Sequence, residues 1–158
     1  MTELIQIITG FLGSVGFSIL FNLRGRKLLI ASLGGLLSWT VYVLLVPILS
    51  GEPVRYCISS MCMTVYAEIF ARIEKTPTTS FLVSAAIPLI PGSALYYTMN
   101  YALNQQWRLF AEKAFYTLEL AFFLAVGIIA ITTVTRLLTM QRRKAKKHPH
   151  VSVFHNSI

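Results

Sequence analysis

The chain has no aspartate, and its histidines are confined to His148, His150 and His155 near the C-terminus. The apolar part of the chain therefore lacks motifs such as HExxH, and it has no GxSxG motif or phosphate-binding loop. Cys57 and Cys62 lie on different faces of one predicted helix, so no disulfide is expected. These absences predict a protein that is not an enzyme and that binds no cofactor or metal. The tail histidines are expected in a solvated end.

Charge is also scarce, at 13% of 158 residues, whereas hydrophobic residues make up 55% and mean hydropathy is +0.65. This composition predicts an integral membrane protein in contact with a lipid bilayer. The net charge of +8 could suggest a nucleic-acid-binding protein. The 14 Lys and Arg residues lie, however, in short clusters between apolar runs and in the tail. They indicate topology, and no nucleic-acid partner is predicted.

Five apolar stretches approach the roughly 20 residues that a helix needs to cross a bilayer. The third is the most polar, because it contains Ser59, Ser60, Thr64 and Glu68, and hydropathy alone would allow a surface or re-entrant segment. We predict an all-α protein with five transmembrane helices at residues 4–23, 28–49, 56–73, 79–103 and 114–140. Residues 1–140 form one membrane domain, and residues 141–158 form a basic cytoplasmic tail, predicted to be disordered.

The distribution of Lys and Arg supports five spans. Omitting the third span would place the first basic loop opposite the basic tail, against the tendency of Lys and Arg to stay cytoplasmic. The predicted N-terminus is therefore outside and the C-terminus is cytoplasmic, and no cleaved signal peptide is expected. With five spans, one side holds Arg24, Arg26, Lys27, Arg72, Lys75 and the tail cations, and the other holds Arg55, Arg108 and Lys113.

Small residues recur at helix-packing intervals in the first two spans. Gly10, Ser14 and Ser18 form one stripe in the first span. In the second span, Ala31 pairs with Gly35 and Gly34 pairs with Ser38, each four residues apart. Small residues allow two helices to approach closely. The stripes predict packing within the chain, with a subunit interface as the alternative.

The fourth span is interrupted by Ile87-Pro88-Leu89-Ile90-Pro91-Gly92. Pro88 and Pro91 cannot donate a backbone hydrogen bond, so the carbonyls of Ser84 and Ile87 are expected to lack their helical partners. Such backbone is tolerated at membrane depth where protein or a water-filled cavity receives it, and in transporters it often marks the substrate site. The alternative is a proline kink whose carbonyls bond to neighbouring Ser or Thr.

A second half-helix starting near Ser93 would direct its free amides towards a substrate carboxylate. Tyr96, Tyr97 and Asn100 follow within two turns and supply polar groups that could orient a small ligand. The predicted substrate-binding residues are Pro88, Pro91, Gly92, Ser93, Tyr96, Tyr97, Asn100 and Glu68.

Two carboxylates within predicted spans are candidates for proton coupling. Glu68 shares a helix face with Ser60, Thr64 and Arg72, and its alternative role is an ion pair with Arg72 one turn away. Glu119 lies inside the fifth span, where the alternative is a hydrogen bond to a neighbouring helix.

The chain resembles the small-subunit membrane domain of the threonine/serine exporter (ThrE) family, to which the YjjB-like proteins belong. The likeness covers most of the chain apart from the C-terminal tail. It is carried by Arg72-Ile73-Glu74-Lys75-Thr76-Pro77, Phe81, Ala86-Ile87-Pro88-Leu89-Ile90-Pro91-Gly92 and Tyr96-Tyr97, and Phe21-Asn22-Leu23 and Gly34-Gly35-Leu36 also fit.

The resemblance implies a half-transporter in the bacterial inner membrane that works with a larger ThrE-family subunit (YjjP-like). It implies export of threonine or serine, with succinate or another dicarboxylate as the alternative substrate. A non-transporting membrane scaffold or assembly subunit is the competing class. If the partner contributes a related five-helix unit, the two units are expected to be inverted relative to one another.

Overall fold

The computed structural model describes residues 2–146, and all regular secondary structure in this range is helical. The predicted all-α class is therefore confirmed for the described residues. The elements are α1 (Thr2–Leu20), α2 (Arg26–Leu45), α3 (Glu52–Ile73), α4 (Thr78–Ala86), a 3₁₀ turn (Ile87–Leu89), α5 (Gly92–Leu103) and α6 (Trp107–Lys146).

Three of the described helices are long and apolar enough to cross a membrane: Glu3–Leu20, Arg26–Leu45 and Trp107–Gln141. The pair Thr78–Leu89 and Gly92–Leu103 passes the same test only when taken together, with a bend of 62° at the break, as a broken span or a re-entrant loop would. Helix α3 is long enough, with 22 residues, but too polar for the same criterion. The chain is therefore a helical membrane protein, while five spans and their orientation stay predictions.

The contacts of α3 explain its polarity. At the start of α3, the Tyr42 hydroxyl of α2 donates a hydrogen bond to Glu52 at 3.0 Å. Further along α3, the Tyr66 hydroxyl donates to the backbone carbonyl of Ile30 in α2 at 2.9 Å. Helices α2 and α3 are thus antiparallel over most of their length, and α3 also packs against α4 and α6. Its polar residues Ser60 and Thr64 are fully buried between helices. These residues lower the mean hydropathy of α3, but their side chains are covered by neighbouring helices and not exposed to lipid.

Small residues pack α1 and α2 together, which confirms the predicted packing within the chain. Ser14 is fully buried, and a Cβ built on Gly35 would overlap its side chain. A Cβ on Gly34 would lie 2.9 Å from Cβ of Ala85 in α4. These glycines therefore permit two close helix contacts.

Helix α6 crosses α3 closely at Gly127. A Cβ built on this residue would lie 2.6 Å from the backbone oxygen of Cys57 and would overlap the hydroxyl of Ser60. Helix α6 has 40 residues, so at 1.5 Å per residue it is about 60 Å long, twice the ~30 Å of a hydrocarbon core. It continues through Lys146, beyond the predicted span end at Met140. The rest of the predicted tail, with its three histidines, lies outside the described residues.

The buried side chains form two clusters along the bundle. One contains Tyr42, Tyr56, Met63 and Leu120 together with Leu89 of the 3₁₀ turn, which is completely buried. The other joins α2, α3 and α4, and consists of Ile30, Ala31, Ala67, Ala71 and Phe81. The 3₁₀ turn between α4 and α5 is therefore fixed in the protein core by Leu89.

Candidate functional site

The candidate site is centred on the interruption between α4 and α5. Helix α4 ends at Ala86, the 3₁₀ turn carries Pro88, and Ile90 is extended with a ψ of 125°. Pro91 then caps α5, which begins at Gly92, one residue before the predicted start. The two prolines thus separate two helices whose axes differ by 62°.

The backbone carbonyls at the interruption are partly received by protein. Ile87 was expected to have a free carbonyl, but it accepts the N–H of Ile90 at 3.2 Å, as a 3₁₀ turn requires. The carbonyl of Ala85 accepts the Ser38 hydroxyl of α2 at 2.9 Å. A serine hydroxyl on a backbone carbonyl is the type of bond expected of a proline kink, although the carbonyl predicted to be free was that of Ser84 and the one observed is that of Ala85. The interruption differs from a simple kink because a cavity lies beside it.

A cavity of about 270 Å³, open to the surface of the protein, lies between α1, α2 and the 3₁₀ turn. Its volume is close to the lower limit of about 300 Å³ for small-molecule sites. Of the two prolines at the interruption, Pro88 lines the cavity and Pro91 does not. The lining residues are Gln6, Thr9, Gly10, Gly13, Trp39, Ile87 and Pro88.

The polar groups of this cavity are few. The Thr9 hydroxyl donates within its own helix, at 2.9 Å to the carbonyl of Ile5. The indole nitrogen of Trp39 is buried and has no hydrogen-bond partner among the described residues. A buried N–H without a partner is costly, but this nitrogen has almost no exposed surface and so does not face the open space of the cavity. Gln6 is exposed and brings an amide to the cavity.

The predicted residues of α5 are not at this cavity. Gly92 and Ser93 are exposed, and Tyr96 and Tyr97 are 65% and 50% exposed. The two tyrosine rings contact each other edge to face, 5.5 Å apart. Of the predicted binding residues, Pro88 lines the cavity, and Pro91 is buried but does not line it. Asn100 is half-buried and accepts a hydrogen bond from the Asn104 side chain.

Glu68 forms the ion pair that was its alternative role. Its carboxylate lies 2.9 Å from the Arg72 guanidinium, which also donates to the backbone carbonyl of Glu68 at 3.1 Å. The hydroxyls of Ser60 and Thr64 donate to carbonyls of their own helix. The structure therefore places this polar face in helix packing and not in the cavity wall.

Glu119 is exposed on α6. Among the described residues, the ion pairs are Glu68 with Arg72 and Arg26 with Glu74, and neither includes Glu119. The nearby Thr117 hydroxyl lies 3.2 Å from that of Thr98 in α5. The structure thus brings neither Glu68 nor Glu119 to the cavity.

A carboxylate that sequence reasoning missed lies at the start of α3. Glu52 accepts hydrogen bonds from the hydroxyls of Tyr42 in α2 and Tyr116 in α6. The predicted span began at Tyr56 because Glu52 and Pro53 are not apolar. An acidic residue in a first turn with proline beside it is nevertheless typical of a helix N-terminus, and this signal could have found the helix start.

Comparison with known proteins identifies the family. A family model described as "Threonine/Serine exporter, ThrE" matches residues 6–134, which include the cavity, the interruption and most of α6. No curated protein and no solved structure matches the chain. Because the matched region covers most of its length, the chain belongs to the threonine/serine exporter (ThrE) family.

Proposed function

We propose that the chain is the small subunit of a secondary exporter of small carboxylate-bearing metabolites, with threonine or serine as substrate. The observation that carries this proposal is the interruption of the fourth span beside a cavity of about 270 Å³. A secondary exporter requires a site near the middle of the membrane that can be reached from either side in turn.

The position of the interruption supports this proposal. Helix α4 with the 3₁₀ turn contains 12 residues, from Thr78 to Leu89, and α5 contains another 12. At 1.5 Å per residue each piece spans about 18 Å, so the interruption lies near the middle of a ~30 Å hydrocarbon core. A cavity at this depth is suited to alternating access.

The cavity suits a small amino acid better than a large ligand. Ile87 and Pro88 provide apolar contacts for a methyl group, while the exposed amide of Gln6 provides a donor for a carboxylate or hydroxyl oxygen. Its volume leaves room for few non-hydrogen atoms. The ligand proposed on these grounds is threonine or serine.

The exposed start of α5 supports a partner subunit. Gly92 and Ser93 are exposed, and a Cβ built on Gly92 would meet nothing within 4 Å. The first amides of a helix have no partner within that helix, and at membrane depth such groups need protein or a water-filled cavity. A larger ThrE-family subunit covers this face in our proposal. Ser93, Tyr96, Tyr97 and Asn100 then lie between the subunits, beside the substrate path.

The proposed topology follows the charge distribution. The chain crosses the bacterial inner membrane five times, with the N-terminus outside and the C-terminus in the cytoplasm. Helix α3 counts as a span because it runs beside α2 and packs against α4 and α6, where its polar residues are covered.

Counterflow of labelled threonine in proteoliposomes tests the proposed function. With the larger subunit present, we expect saturable exchange that unlabelled serine inhibits. Replacing Pro91 and Gly92 together with alanine should reduce exchange by about tenfold or more, since α5 can then extend back through the extended residue Ile90 and shift the cavity wall at Pro88 (tenfold corresponds to ~1.4 kcal/mol). Unlabelled succinate is the control competitor. Exchange inhibited by succinate alone, or no exchange, would contradict the proposed substrate.

Glu119 is the proposed coupling acid. Glu68 is neutralised by Arg72, whereas Glu119 is exposed on α6 and belongs to neither described ion pair. With an imposed pH gradient, Glu119→Gln should lose about nine-tenths of the gradient-driven export while counterflow persists, because exchange needs no net proton movement. Glu68→Gln is the matched control and should retain the stimulation. Full stimulation in Glu119→Gln would exclude Glu119 as the coupling acid.

A further inference from the structure

Glu52 connects three helices at one end of the bundle. Its Oε1 accepts the hydroxyl of Tyr42 at 3.0 Å, and its Oε2 accepts the hydroxyl of Tyr116. We call this set of three residues, Glu52, Tyr42 and Tyr116, the Glu52 latch. Because Tyr42 belongs to α2 and Tyr116 to α6, one carboxylate of α3 holds both neighbouring helices.

Two cations lie beside the latch. The Arg55 guanidinium carbon is 5.3 Å from the centre of the Tyr42 ring, and the Lys113 ammonium is 5.1 Å from that of the Tyr116 ring. Each tyrosine therefore carries a cation over its face and directs its hydroxyl to the same carboxylate. Tyr56 packs its ring edge-on against Tyr42, with centroids 5.2 Å apart.

The latch is continuous with the cavity. The indole of Trp39 stacks on the Tyr42 ring with centroids 4.9 Å apart and planes 23° from parallel, and Trp39 also lines the cavity. A movement of Trp39 at the cavity wall would therefore be transmitted to Tyr42 through their stacked rings. Energetic coupling between the cavity and the latch requires, in addition, that the latch side chains can adopt two discrete arrangements.

In the structure, where Glu52 bonds to both tyrosines, two buried donors near the latch have no hydrogen-bond partner. Nε of Arg55 and the indole nitrogen of Trp39 are both buried without a hydrogen-bond partner among the described residues. Arg55 lies three residues after Glu52 on the same helix, at a spacing that allows an ion pair within the helix. A second arrangement, in which Glu52 leaves the tyrosines and pairs with Arg55, would satisfy one of these donors.

We propose that the Glu52 latch is a gate. Glu52 bonded to Tyr42 and Tyr116 holds α2 and α6 against α3 at this end of the bundle, and Glu52 paired with Arg55 releases them, so that Trp39 and the cavity beside it become more accessible from this end. The exchange breaks only side-chain hydrogen bonds, so α2 and α6 can separate from α3 without unfolding. This inference rests on the proposed transport function for the cavity. By the predicted topology, the gate lies on the outer side of the membrane.

Quenching of Trp39 fluorescence tests the gate without any substrate. The chain has two tryptophans, so Trp107→Phe leaves Trp39 as the single reporter in the full-length protein in lipid nanodiscs. Tyr116→Phe removes one latch hydrogen bond and leaves Trp39, Tyr42 and their stacking unchanged. We expect the acrylamide quenching constant of Trp39 to rise about twofold or more, because the open population grows.

Tyr56→Phe is the matched control, since it removes a neighbouring phenol that does not bond to Glu52. It should leave the quenching constant unchanged. Equal constants in Tyr116→Phe and Tyr56→Phe, whether raised or not, would overturn the gate.

These outcomes are separate from those of the transport assay. If Tyr116→Phe exposes Trp39 while threonine counterflow is absent, the gate stands and the substrate assignment fails. If counterflow is present and Tyr116→Phe leaves Trp39 shielded, the transport function stands and the gate is wrong.

Discussion

Alanine at Gly127 should destabilise the protein by about 2–3 kcal/mol, the upper part of the range for overpacking a well-packed core. The added methyl group would lie 2.6 Å from the backbone oxygen of Cys57 and would overlap the hydroxyl of Ser60. Ser60 could rotate, but the oxygen of Cys57 belongs to the α3 backbone, so α3 and α6 would have to move apart. We expect a lower thermal midpoint of the purified protein in detergent.

Gly16→Ala is the matched control for Gly127→Ala. Gly16 also lies within a helix, but a Cβ built there meets nothing within 4 Å. Alanine costs less conformational entropy than glycine in a helix, so this variant should be unchanged or more stable by about 0.5–1 kcal/mol. Similar losses in the two variants would show that the close crossing of α3 and α6 at Gly127 is not required for stability.

Leucine at Gly13 should block transport while the protein stays folded. A Cβ built on Gly13 comes no closer than 3.9 Å to the Ile87 side chain, so the first added carbon is tolerated. The remaining carbons enter the cavity of about 270 Å³ that Gly13 lines. We expect threonine counterflow to fall by about tenfold or more, a loss of at least ~1.4 kcal/mol in substrate or transition-state binding.

Gly16→Leu serves as the control for Gly13→Leu, because Gly16 is exposed on the same helix and does not line the cavity. Both variants should show the same thermal midpoint, and counterflow should persist only in Gly16→Leu. Normal counterflow in a folded Gly13→Leu protein would show that the cavity beside Pro88 does not hold the substrate.

Local sequence patterns predicted much of the fold. Long apolar runs predicted most of the helices, and the prolines at 88 and 91 predicted the break between α4 and α5. Both are local effects, because proline removes a donor at a known position. The start of α3 at Glu52 was harder to predict from the sequence, because Glu52 is stabilised by hydrogen bonds from Tyr42 and Tyr116, which are distant in the chain.

The site was harder to predict than the fold because its wall comes from separate helices. Sequence reasoning selected the polar residues of α5, but Ala94 and Thr98 are the residues of this helix that are buried. Their burial fixes the rotation of α5 and leaves Tyr96 and Tyr97 on the opposite, exposed side. The cavity instead involves Gly10 and Trp39, whose proximity to Pro88 depends on how α1 and α2 pack.

The polarity of α3 also bears on how the chain enters the membrane during synthesis. A helix of low hydropathy gains little by partitioning into lipid alone, and the serine and threonine side chains of α3 are covered partly by α6, which follows α3 in the chain. If α3 crosses the membrane as we propose, its insertion depends on helices synthesised before and after it. The bundle is then completed only when residue 127 has left the ribosome and Gly127 can meet Ser60.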